Sequence, residues 1–433
     1  MRERDAAGCF ARPRRRRRRC RRPGGRTPYR LATGYYKASW LFDEMSELAS
    51  IPCTSKRARG TSDGVDRLSS LPDELLHCVM SFLPMPEAVR TSLLSPRWRN
   101  LWASAPYIRI DHQDFMDDDK LEKFGDRLLL TTSLDKAWIS VHHVVDTTLC
   151  CDWIRHAIMH KVRLLHVSAS ALLDSTAMFP SQHLKTVRLQ YNLLRHGFFR
   201  PLNCDCPVLE HLELEHCGLW DLKEISSRSL KVLRIIGCHI FGGLVICASN
   251  LTHVSIVDPR CDPGAIVIRD LSSLVTASVS LTSRFHYYKR NTIADHRLLD
   301  GLSHATTLEL HAPLPEVSFE RSLRTCAMFS NLTSLVLGEW CMAADFYPLL
   351  RILQRSCKLK ELKLKLTMEE FSTCKDSESA LSSTRGAPLS GSGRHPCIQR
   401  VKIYCHEDDP RASSLVQVLQ PVVGDVKISI EHH

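Results

Sequence analysis

Apolar residues first fall into a regular order near Leu71. Leu75, Leu76, Val79, Phe82 and Leu83 recur at three- and four-residue intervals, the spacing of one helical face, until Pro84 stops the run. Leu71-Pro72-Asp73-Glu74 supplies the start, because proline tolerates the first helical turn and carboxylates suit the positive end of the helix dipole. Pro86 and Glu87 begin a second helix carrying Val89, Leu93 and Leu94. Ser95 and Pro96 mark the N-terminus of a third, with Trp98, Leu101 and Trp102 on its apolar face. Residues 65–104 therefore predict a three-helix module. It carries more apolar side chain than so few residues can bury among themselves, so part of it is expected to face a partner.

A different pattern follows: a six-residue phrase, apolar at its first, fourth and sixth places, in which the final alternation marks a short strand. Leu209-Glu210-His211-Leu212-Glu213-Leu214 and the matching phrases from Leu230 and Leu251 repeat with a period of 21 residues. Similar phrases start at Val162, Leu184, Leu274, Ala305, Leu332, Leu359 and Ile398, the later ones more widely spaced. The ninth place holds Asn192, Cys217 and Cys238, which suits a small residue turned into the interior. Such units present an apolar face that only a neighbouring unit can cover, so they predict a stacked α/β solenoid over residues 134–433 with parallel strands on its concave side. The fifth place of each phrase points away from that core. It nominates Arg188, Glu213, Arg234, Ser255, Glu309, Lys363 and Lys402 as the side chains that meet a bound target. Phe371 to Pro396 breaks the pattern as a polar insertion; strand Ile398 to Tyr404, a helix from Ala412 to Leu419 and a closing strand Val426 to Ile430 are expected to cap the array.

The helical module has a family likeness. Leu71-Pro72-Asp73-Glu74-Leu75-Leu76, Ser81-Phe82-Leu83-Pro84, Glu87-Ala88-Val89-Arg90-Thr91-Ser92 and Leu94-Ser95-Pro96-Arg97-Trp98-Arg99-Asn100-Leu101-Trp102 together resemble the plant-type F-box. Followed by phrases that resemble leucine-rich repeats, it is similar to the plant F-box/leucine-rich-repeat family. The resemblance implies a module that binds the Skp-type adaptor of a Skp–cullin–F-box ubiquitin ligase, and repeats that hold the protein to be ubiquitinated. An alternative output is a scaffold that binds the adaptor without promoting ubiquitination. Carried over by position, the adaptor contacts would be Leu71, Pro72, Leu75, Leu76, Val79, Pro84, Val89, Trp98 and Trp102, with Trp98 and Trp102 equally suited to the module's own core.

Composition narrows the function without changing this picture. The chain has 433 residues, 44% of them hydrophobic, and 18 cysteines scattered through apparent strands and helices, which fits a reducing compartment, nucleus or cytoplasm. The net charge of +11 is concentrated in the first 44 residues, whose 14 Arg and Lys against 4 Asp and Glu leave the remainder at +1 (11 − 10). A polyanion-binding body is thereby disfavoured. Residues 1–64 read as a disordered Arg-rich tail; they are a nuclear-localisation or RNA-binding arm, a solvated tail, or an extension upstream of a true start at Met45. Residues 105–133, with Asp111, Asp114, Asp117, Asp118, Asp119 and Glu122, read as an acidic linker lacking the glycine and terminal glutamate of a calcium loop. The chain has no phosphate-binding loop, nucleophile elbow or zinc-protease helix, so no cofactor, no metal and no catalysis are expected, nor a membrane-spanning run.

Overall fold

The computed structural model describes residues 66–432 apart from 116, 129–133, 142–146, 174–179, 196, 199–205, 221–222, 262–264, 282–297, 313–318, 320–322, 324–325 and 367–393. The Arg-rich tail and all of the polar insertion except Arg394, His395 and Pro396 lie outside the described residues.

Helix α1 spans Asp73–Met80 and α2 spans Met85–Arg90; each follows a proline, Pro72 or Pro84, held in extended geometry just outside the helix. The third predicted helix does not form. Residues from Ser95 run through successive turns into a single 3₁₀ turn, Trp102–Ser104. Those turns are pinned from the side: Arg97 donates to Leu71 O at 2.6 Å and pairs with Asp73 at 2.9 Å, and the Trp98 indole donates to Ser69 Oγ at 3.0 Å. Side-chain bonds across the module thus replace a helical ladder.

The body is a parallel ladder. Strands β1 (Tyr107–Asp111), β2 (Lys136–Val141), β3 (Leu164–Ala169), β5 (Thr186–Gln190), β7 (His211–Glu215), β10 (Val232–Ile236), β13 (His253–Val257) and β15 to β20 (Thr276–Ser280, Thr307–His311, Ser334–Leu337, Glu361–Lys365, Arg400–Cys405, Ile428–His432) form one thirteen-stranded sheet in chain order. Every phrase read from the sequence gives one of these strands, beginning two residues after its start. The closing strand is likewise present, at Ile428–His432, and the preceding helix is longer than expected.

Two smaller sheets complete the central repeats. Strands β4 (Leu172–Leu173), β6 (Leu193–Leu194), β8 (Gly218–Trp220) and β11 (His239–Phe241) make one, and β9 (Glu224–Ser226), β12 (Leu244–Cys247) and β14 (Ile266–Arg269) the other. A 21-residue repeat has no room for a helix of several turns, so it returns through these short strands. Wider repeats return through helices instead: α3 (Asp118–Leu128), α4 (Thr147–Met159), α5 (Ala343–Gln354) and α6 (Pro410–Val423). Alternate strand residues such as Leu212, Leu214, Leu233 and Ile235 are fully buried. At the ninth place Asn192, Cys217 and Cys238 are also buried, and the thiols of Cys217 and Cys238 each donate to a carbonyl of the preceding repeat, Leu189 O and Leu214 O, at 3.3 Å.

The acidic linker is corrected. Residues 107–128 form the first repeat: Ile108 and Ile110 point into the core and α3 buries Leu121 and Phe124 above them. Asp117, Asp118, Asp119 and Glu122 occupy the exposed side of α3 and the turn before it, whereas Asp111 is buried in β1 and Asp114 half-buried beside it, so high charge density and a buried face coexist in one segment. Helix α2 packs against β1, and the Tyr107 hydroxyl donates to His77 O at 3.3 Å, so the helical module caps the open edge of the sheet.

Asp114 lies at this joint. Burial and the neighbouring Asp111 push its carboxyl up to about 6, against the help of Arg109 and the Met85 amide. Between the ordinary value of 3.8 and about 6 the folded chain holds more protons than the unfolded one, so this group's contribution to stability falls as pH rises through that window. Asp114→Asn should therefore raise the thermal midpoint above pH 6 by roughly 2–4 °C and change it little near pH 4, as differential scanning calorimetry at the two pH values would record.

Candidate functional site

Two surfaces gather the residues nominated above. On the helical module, α1 carries leucines at consecutive positions, and consecutive positions diverge by a quarter turn or more. Leu76 and Met80 consequently turn inward and are fully buried, whereas Leu75 and Val79, with Phe82 in the turn just past α1, are exposed, Phe82 to 83%. The single apolar stripe of the sequence is two faces. Leu93 and Leu94, in the turn after α2, add to the exposed apolar set, as does Leu68. Contiguous exposed apolar surface of this kind marks a docking face.

Among the nominated adaptor contacts, Leu75, Val79, Pro72 and Pro84 are exposed, and Leu71 and Trp102 are half-buried. Leu76, Val89 and Trp98 belong to the core and present no surface to a partner. Trp98 is excluded for the reason already given, its indole being turned inward onto Ser69. Phe82, Leu93 and Leu94 were legible as apolar positions, but only their burial separates them from the core residues beside them.

On the ladder, strand register brings the fifth-place residues into one row. Arg188 stands beside Glu213, Glu213 beside Arg234 and Arg234 beside Ser255; farther along, Ser278 pairs with Glu309 and Lys363 with Lys402. The row continues backward through His166, the fifth place of the phrase from Val162, to Trp138 and Arg109 in the two strands that precede the phrases. Ion pairs link it. Glu213 meets Arg188 Nε at 3.1 Å and Arg234 Nη1 at 3.8 Å; Glu309 accepts from Lys365 at 2.9 Å and from His311 at 2.7 Å; Lys363 pairs with Glu361 at 3.1 Å and Lys402 with Glu431 at 2.6 Å.

Beside Arg188, Glu213, Arg234 and Ser255 the face is hollowed by a cavity of about 620 Å³, also lined by Thr186, His211, His253, Thr276 and Ser278. These additional residues stand at the third place of their phrases or in the phrase from Leu274. Period-two alternation puts the third and fifth places on the same face, so the sequence held the signal. His166, farther back along the row, is held below the ordinary imidazole value by burial and by Arg188, and so stays neutral at neutral pH. Among the described residues no group of three His, Cys, Asp or Glu side chains could hold a metal ion, and no helix is long and apolar enough to cross a membrane.

An exposed apolar helical face joined to a stacked parallel ladder defines an F-box module on a leucine-rich-repeat solenoid. The F-box domain family matches residues 68–109. The chain is 28% identical over 387 residues to the meiotic F-box protein MOF of rice, covering 76% of this chain and 80% of that protein, so the likeness runs well beyond the F-box into the repeats. It is 27% identical over 368 residues to an F-box/FBD/LRR-repeat protein of Arabidopsis thaliana (71% and 78% covered), and 30% identical over 224 residues to an F-box/LRR-repeat protein of the same plant (47% and 48% covered). The chain thus carries an F-box domain and is similar, over most of its length, to plant F-box/leucine-rich-repeat proteins.

The two faces of α1 should separate in a denaturation experiment. Leu76→Ala opens a core cavity and is expected to cost about 2–5 kcal/mol, whereas Leu75→Ala on the exposed face should stay within roughly 0.5 kcal/mol, both read from urea unfolding midpoints.

Proposed function

We propose that the chain is the substrate-recognition subunit of a Skp–cullin–F-box ubiquitin ligase. The observation that carries this reading is the exposed face of Leu75, Val79 and Phe82 on a module whose other face is locked to the first repeat. An F-box domain generally docks on a Skp-type adaptor, and through it on a cullin. The solenoid then presents its hollowed face to the target. Rate enhancement comes from position: the target lysine is held near a ubiquitin carrier brought by other subunits, and the chain itself performs no bond chemistry. A residence in the reducing cytoplasm or nucleus accords with the many thiols, none of which forms a disulfide among the described residues.

Leu75→Asp puts a charge on the docking face without touching the core. It should abolish co-purification of the Skp-type adaptor and cullin while leaving the thermal midpoint within about 1 °C, as befits an exposed position. Adaptor retained by this variant would contradict the reading. A target that accumulates on proteasome inhibition in wild-type cells supports a degradative output, and one whose level never changes supports a scaffold.

A further inference from the structure

Three features converge on the repeats between β5 and β13. The first is electrostatic. One carboxylate, Glu213, is shared by two guanidiniums, Arg188 and Arg234, each about half exposed, so the cavity floor keeps a net positive charge and unused N–H donors. The two arginines are two strands apart in register, roughly 9–10 Å, wide enough to admit an extended chain between them. Hydroxyls of Thr186, Ser255, Thr276 and Ser278 line the same space.

The second feature is the turn that directly follows strands β5, β7 and β10. Tyr191 stacks on His216 with ring centroids 5.4 Å apart, and the imidazole lies flat over Gly237. That residue has φ +60°, and a Cβ there would come within 2.4 Å of the ring, so glycine is required on both counts. The third lies on the short strands β8 and β11 of the same repeats, where Trp220 and Phe241 stack with centroids 4.3 Å apart and remain 48% and 45% exposed. Leu193 extends this patch beside Trp220. Arginine and exposed aromatic rings are the residue types that carry most binding energy at protein interfaces.

Building on the substrate-receptor reading, we propose that this part of the solenoid recognises an acidic segment of the target protein: a carboxylate-bearing stretch crosses the cavity between Arg188 and Arg234, and a nearby aromatic or aliphatic side chain lands on Trp220 and Phe241. Charge complementarity selects the acidic class, since within the cavity a basic segment would meet two guanidiniums with Glu213 alone to offset them, Glu215 lying at the strand end beside His216. The aromatic patch selects which acidic segments bind.

The test uses the full chain in complex with its Skp-type adaptor, panned against a displayed library of random peptides, followed by fluorescence anisotropy on synthetic copies of the enriched sequences. The expected result is enrichment of Asp or Glu at a fixed distance from Trp, Phe, Leu or Ile. Arg234→Glu should weaken those peptides about tenfold and reduce the dependence of affinity on salt. A peptide with Lys in place of its Asp should recover affinity on that variant. Trp220→Ala should weaken binding to a similar degree with the salt dependence unchanged. Both positions are solvent-exposed, and an unaltered melting curve verifies that the variants fold. No enrichment, enrichment of basic peptides, or acidic peptides that bind the variants as well as wild type would overturn the proposal. Because the adaptor stays bound in each of those outcomes, they are distinguishable from failure of the ligase reading, in which the adaptor itself is lost.

Discussion

Every repeat of this chain presents an apolar face that only the next repeat can cover, and the parallel register between neighbouring strands is the constraint on which the rest of the structure depends. Because the ladder advances without a slip from β1 to β20, every fifth-place side chain falls in one row and every first, fourth and sixth place falls in one core. A one-residue slip between two strands would send Leu212 or Leu233 to solvent and Glu213 or Arg234 into the core, so burial itself enforces the alignment of the functional face. The hollowed surface is thus a by-product of core packing and needs no separate scaffold.

A stacked array has two ends, and an uncovered end leaves a row of unpaired backbone groups. Here the F-box module covers the first. Met85, Ala88 and Val89 are buried at this end of the array, α2 packs against β1, and the Tyr107 hydroxyl, bonded to His77 O, closes the side; burial beside Cys78 pushes that phenol up to about 12 and keeps it a donor. The F-box module is therefore also a structural cap. This arrangement gives the exposed apolar face of the module and the hollowed face of the ladder a fixed geometric relation, which is what the proposed catalysis by positioning requires.

The repeats were legible because their signal is periodic and each period repeats the same physics; all ten phrases became strands. The first repeats were not, for two different reasons. Around Ile108 and Ile110 the apolar residues are few and stand beside Asp111, Asp114 and Asp117 to Asp119, so charge density outweighed a short alternation. Leu121 and Phe124 reveal their purpose only when α3 lies over β1. In the F-box, helical spacing correctly located α1 but could not divide Leu75 from Leu76, since both fit an apolar stripe three to four residues wide. The division depends on where Trp98 and Leu101 sit, and their segment is held by Arg97 and Ser69 from outside it rather than by the helix that its own pattern implied.

The most direct test of this two-faced arrangement is amide hydrogen exchange of the full chain with and without a Skp-type adaptor. Slowed exchange confined to Asp73–Ser104, with the strands β5 to β13 unchanged, is the result that follows from a docking face on α1 and a separate target face on the ladder. Slowed exchange in those strands with none in α1, or no change anywhere on mixing, would contradict it.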